Sequence, residues 1–160
     1  MTQRKPHTGE FEPEYVEGVR AIFEEKIVFN QVLGLKLTEM RGDHATATLS
    51  MAPQLVGHFQ YNRLHGGVIS ASLDALGGIA CFLAVGARHM DEPPAKRIER
   101  FSKIGTIDLR IDYLRQGIGE RFIMRADVLR VGSRVGTTRM DFWDDQGTLI
   151  AAGSGAYIVS

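Results

Sequence analysis

Apolar residues recur along the chain with two different periods, and the changes of period mark the elements. Between Pro13 and about Asn30, the residues Tyr15, Val19, Ile22, Phe23 and Ile27 fall three to five apart. That spacing is one face of a helix, with Pro13 in the first turn, where its missing amide costs nothing. Gly34 ends the pattern. From Leu35 to Met51 the positions alternate, with Arg41-Gly42-Asp43-His44 as a turn, which predicts a β-hairpin. Residues 66–87 then form a run of 22 residues with a single charge, Asp74. The run is long enough to cross a bilayer. Its glycines, its central acid and the lack of a second such segment favour a helix that is apolar all round because a protein core encloses it.

Arg88 to Lys103 is polar and contains Pro93-Pro94, so it predicts a loop with a short helix after the prolines. Alternation returns over 106–115 (Ile107, Leu109, Ile111, Tyr113) and over 121–131 (Phe122, Met124, Ala126, Val128). It continues over 134–143 and 148–159, with turns at Gly117 to Gly119, Gly132-Ser133 and Asp144 to Gly147. The order is helix, hairpin, long buried helix and four consecutive antiparallel strands. This is an α+β pattern: a curved antiparallel sheet of about six strands whose one apolar face is filled by one long apolar helix. Residues 1–12 are expected to be a flexible tail and 13–160 a single domain.

Composition narrows the function. Lys+Arg and Asp+Glu both number 19 among 160 residues, so a whole-domain basic footprint for nucleic acid is missing. The single cysteine, Cys81, excludes an intramolecular disulfide and a cysteine-based zinc cage, and its expected place is the core. The first residues have charges without an apolar run behind them, unlike a signal peptide. A cytoplasmic protein is the expectation.

Candidate chemistry gathers around one segment: His58, Gln60, Asn62, His65, Gly66, Gly67 and Asp74. The diglycine opens the buried helix, where the first amides have no intrahelical acceptor and lie at the positive end of the dipole. Such amides suit a developing oxyanion. Asp74 is the only acid on the helix, and it shares a stripe of small residues with Ser70, Gly77 and Cys81. An apolar setting disfavours the charged form of a carboxylate and suits it to act as a base. The plain structural reading is that the glycines allow close packing and Asp74 accepts local hydrogen bonds. Eight helical residues from Gly66 to Asp74 amount to roughly 12 Å of rise and about 80° of rotation. One carbonyl cannot touch both within a chain. If both act on it, they come from two chains related by a two-fold axis.

The stretch LHGGVISASLDALGGIACFLAV, with GTIDLRIDYLRQGIGERF and a last strand ending GSGAYIV, resembles the hotdog-fold acyl-CoA thioesterases. It is most like the YigI-like bacterial branch of their PaaI-type group. The resemblance covers about residues 27–159 and implies a hotdog fold. It also implies Asp74 as base or nucleophile, Gly66 as oxyanion donor and His65 as orienting residue. Many members carry Asn or Gln six residues before the histidine; here that position is Phe59, and Gln60, Asn62 or His58 are its possible substitutes. Thr106 stands where relatives place a polar residue near the site, although a strand start also favours threonine.

The implied activity is hydrolysis of medium- to long-chain, or aryl, acyl-CoA, with Gly67 also near the substrate and Leu55, Val56, Phe59 and Tyr61 available to the tail. Coenzyme A belongs to the substrate, and neither a further cofactor nor a metal is expected. The chain is expected to be a homodimer with shared sites, or a tetramer, without nucleic acid and without a membrane span. Lys96, Arg97, Arg100 and Lys103 form either a solvated loop, the favoured reading, or a phosphate contact; Arg110, Arg115 and Arg121 are similar candidates. The rival readings are a non-catalytic acyl-CoA sensor and a hotdog hydratase or dehydratase.

Overall fold

In the computed structural model, which describes residues 10–160, the first helix is broken into pieces. Helix α1 (Pro13–Ala21) runs into a wide π-type turn at Ile22–Lys26, Ile27 is extended, and α2 (Val28–Leu33) follows. The single helix expected from spacing is therefore interrupted. The physical cause is Asn30, which is buried and donates its side-chain amide to the carbonyl of Phe23 at 3.0 Å. That carbonyl is drawn off the helical ladder. Gly34 ends α2 with a φ of 70°, a conformation open to glycine at no steric cost.

The alternating segments become strands. After the hairpin β1 (Lys36–Met40) and β2 (His44–Ser50) comes a short two-stranded ribbon, β3 (Val56–His58) and β4 (Arg63–Leu64). Helix α3 (Gly66–Gly86) follows, then α4 (Pro94–Glu99). The chain closes with β5 (Gly105–Tyr113), β6 (Arg121–Val131), β7 (Val135–Asp144) and β8 (Leu149–Ile158). Six strands form one antiparallel sheet in the order β1-β2-β6-β7-β8-β5.

Helix α3 lies in the sheet as the pattern demands. Leu73, Leu76, Ile79 and Phe82 join Phe122, Met124, Met140, Phe142 and Ala151 in one buried cluster. Of its most apolar stretch, 78% is buried inside the protein. The helix satisfies the length and composition of a membrane span, but its apolar surface faces the sheet. Gly77 is required here. A Cβ at that position would overlap the hydroxyl of buried Tyr157 and lie 2.8 Å from the sulfur of Met140.

Strand β5 is an edge strand and is not regular. Its pairing with β8 runs Thr106 to Tyr157 and then Asp108 to Ala156, so Ile107 is an extra residue in a β-bulge. Ile107, placed on the apolar face by simple alternation, is 51% exposed, whereas Leu109 and Ile111 pack on the core.

Most of the expected tail, residues 1–9, lies outside the described residues. Phe11 and Glu12 are packed rather than loose. The Phe11 ring sits 4.9 Å from that of Tyr15, and Glu12 Oε2 pairs with Arg97 at 2.6 Å. Arg97 also departs from expectation. It is fully buried, with its guanidinium 4.5 Å over Tyr15, so it belongs neither to a solvated loop nor to a phosphate site. Arg100 and Lys96 both pair with Glu92, and Arg110 pairs with Asp112.

Candidate active site

The first half of the site is the opening of α3. His65 is the N-cap, and its Nδ1 accepts the Gly67 amide at 2.8 Å. The His65 carbonyl accepts the amides of Val68 at 2.9 Å and Ile69 at 3.3 Å. The Gly66 amide alone of these opening donors has no acceptor among the described residues. The expectation of several open amides is thus reduced to one, because Gly67 is capped by the neighbouring imidazole. A ring nitrogen that accepts carries no proton, which assigns the Nδ1-unprotonated form of His65 here. The hydroxyl of Tyr113, from the end of β5, donates to the Gly66 carbonyl at 2.9 Å.

The second half lies two turns along α3. The Thr106 hydroxyl donates to Asp74 Oδ1 at 2.9 Å. The Tyr157 hydroxyl donates to the Asp74 backbone carbonyl at 3.2 Å. Burial, reinforced by the neighbouring Asp74 charge, pushes the Tyr157 phenol well above the ordinary tyrosine range, so it stays a donor. Asp74 is half-buried rather than enclosed. It faces a cavity of about 260 Å³ whose apolar lining includes Ile27, Phe29, Ala75, Ile79, Phe101 and Ile104.

The other expected residues lie on the segment that leads into His65. His58 at the end of β3 and Phe59, Gln60 and Asn62 in the turn to β4 are exposed, and none lines the Asp74 cavity. The His58 ring lies 6.0 Å from that of Phe59 and 4.9 Å from that of Tyr61, centroid to centroid. Leu55, expected beside an acyl tail, is a core residue. Among the described residues no group of three or more His, Cys, Asp or Glu is placed to hold a metal ion. Tyr113 and Tyr157 were missed as site residues. The small residues facing Tyr157, Gly77 and Gly155, were the available signal, since both leave room for that ring.

Residues 61–151 match the model of the thioesterase superfamily. The chain belongs to the thioesterase superfamily. Its fold is that family's hotdog, an antiparallel six-stranded sheet around one long helix. The chain is 36% identical over 131 residues to the medium/long-chain acyl-CoA thioesterase YigI of Escherichia coli, covering 82% of this chain and 84% of that protein. A crystal structure from Shewanella oneidensis, of a protein related to the thioesterase superfamily, superposes with a TM-score of 0.85 at 35% identity. It covers 94% of this chain and 100% of that one. The PaaI protein of E. coli shares the fold at a TM-score of 0.72 and 19% identity, over 92% of this chain and 94% of its own.

Proposed function

We propose that this thioesterase-superfamily chain hydrolyses medium- to long-chain acyl-CoA as a cytoplasmic homodimer with shared sites. The observation that carries this reading is the double attachment of the edge strand β5. Its start, Thr106, holds the Asp74 carboxylate, and its end, Tyr113, holds the Gly66 carbonyl. Within one protomer the two half-sites are separated by the rise of α3. An antiparallel pairing of two β5 edges about a two-fold near their midpoint sets Thr106 beside Tyr113 of the partner subunit. Asp74 then meets Gly66 of the partner subunit. An unpaired strand edge favours such addition.

Chemically, one carboxylate and one amide suffice for a thioester. In the water route, Asp74 takes a proton as water oxygen bonds to the carbonyl carbon, and the Gly66 N–H stabilises the oxyanion. The C–S bond then breaks, and the departing thiolate recovers the proton. In the direct route Asp74 bonds to the carbonyl carbon, the thiolate leaves, and water cleaves the resulting anhydride. The likeness to YigI and the apolar cavity beside Asp74 support a medium or long acyl tail.

The test is release of free thiol from short, medium, long and phenylacetyl CoA esters by wild type and Asp74→Asn, with sedimentation of both. The reading expects turnover peaking on medium or long chains, a loss of at least about 100-fold in the variant with binding retained, and a dimer or larger. Full turnover by Asp74→Asn overturns the assignment of the base. Full turnover by a stable monomer overturns the shared site, and tight binding without thiol release favours a sensor.

A further inference from the structure

We infer that Tyr113 is a positioning residue that fixes the peptide next to the open Gly66 amide; this rests on the reading of that amide as the oxyanion donor. The Gly66–Gly67 peptide is held at both ends by side chains. Its carbonyl accepts the Tyr113 hydroxyl at 2.9 Å, and its N–H donates to His65 Nδ1 at 2.8 Å. The preceding peptide is fixed through the His65 carbonyl, which takes the amides of Val68 and Ile69. The Gly66 N–H belongs to that preceding peptide, and the clamped Gly66–Gly67 peptide adjoins it on the other side of the Gly66 Cα.

The clamp answers a specific weakness. Two successive glycines have the widest backbone freedom of any pair, so an unheld Gly66–Gly67 unit can rotate and carry the neighbouring amide off line. Oxyanion stabilisation depends on a donor already aimed at the place where charge develops. The Tyr113 ring also packs against Gly66: a Cβ on that glycine would lie 3.3 Å from the ring. Tyr113 is itself half exposed, so its hydroxyl is not needed to fill the core.

Tyr113→Phe keeps the ring and removes the donor. Two readouts test the clamp. In ¹⁵N-resolved NMR the variant should shift or broaden the Gly66 and Gly67 amide signals while the melting temperature is unchanged. In steady-state thiol release it should lower kcat about two- to tenfold, the worth of one hydrogen bond, with KM unchanged. Combined with His65→Ala, which frees the other end of the same peptide, the loss should be smaller than the product of the single losses. Unchanged amide signals overturn the clamp whatever the turnover. Perturbed signals with wild-type kcat, or losses that multiply fully, overturn its catalytic consequence. If Tyr113→Phe is fully active while Asp74→Asn is dead, the catalytic consequence of the clamp fails and the thioesterase reading stands. If wild type releases no thiol, that reading fails instead, and the NMR arm still decides the clamp.

Discussion

Thr106→Val removes the one side-chain donor to the Asp74 carboxylate among the described residues, and little else. Threonine and valine are nearly equal in shape and both suit a strand, and Thr106 is exposed. The lost contact is a hydroxyl 2.9 Å from Oδ1. Hydrogen bonds to charged groups contribute about 1.5–3 kcal/mol. Because water can reach Thr106 and take over part of the role, the lower end applies. About 1.5 kcal/mol corresponds to roughly a tenfold fall in kcat/KM. The assay is initial-rate thiol release with a medium-chain acyl-CoA, and Thr106→Ser serves as the control that keeps the donor. On the proposed reading the fall should appear in kcat, since that reading has Asp74 aimed during the chemical step and the acyl tail against the apolar lining of the cavity. The melting temperature should stay within about 2 °C of wild type, as expected for a surface substitution. A Thr106→Val enzyme with wild-type kcat/KM would refute the idea that this hydroxyl aims the carboxylate.

Other consequences are open to direct measurement. Gly77→Ala drives a methyl group into the Tyr157 hydroxyl and the Met140 sulfur; overpacking of this kind costs about 1–3 kcal/mol, read as a lowered midpoint in urea. Burial works against the Glu24 carboxylate, but hydrogen bonds from Lys36, the Leu37 amide and Arg20 outweigh it and hold its pKa below the ordinary range. The folded state therefore binds fewer protons at this group than the unfolded chain. Its contribution is complete above the unfolded value of about 4.3 and is lost as pH falls through the lower folded value. Acid titration of stability should be shallower in Glu24→Gln. Burial pushes the Cys81 thiol up to about 12, so a chromogenic disulfide reagent should leave it unmodified in the native protein and titrate one thiol after unfolding.

The long-range layout was legible because it rests on period. The glycines and the central acid of residues 66–87 favoured a core helix over a membrane span, and the observed α3 covers Gly66–Gly86 with its apolar face on the sheet. The four closing strands follow from alternation; Asp74 stood out as the only acid on its helix, Thr106 came from the resemblance, and the two share a hydrogen bond. What escaped was set by partners distant in sequence. The break after Ala21 depends on where Asn30 folds back, since Tyr15, Val19 and Phe23 all keep helical spacing. The β3–β4 ribbon is too short to show alternation. Arg97 looked solvated until Glu12 and Tyr15 closed over it. Tyr113 and Tyr157 read as ordinary strand aromatics, and their roles come from contacts 47 and 83 residues away.

The bulge at Ile107 has an arithmetical consequence. Thr106 and Tyr113 are seven positions apart, an odd number, and in an unbroken strand they would project to opposite sides. One uncounted residue changes the parity, so that both hydroxyls reach the same helix. A related chain lacking that extra residue would have to carry its two hydroxyls six positions apart to make the same contacts. Excising Ile107 from this chain should leave both pairs intact, whereas inserting one residue between Leu109 and Ile111 should detach Tyr113 and spare Thr106. In this strand the count along the chain and the side of the sheet are separate coordinates, and the site is addressed by the second.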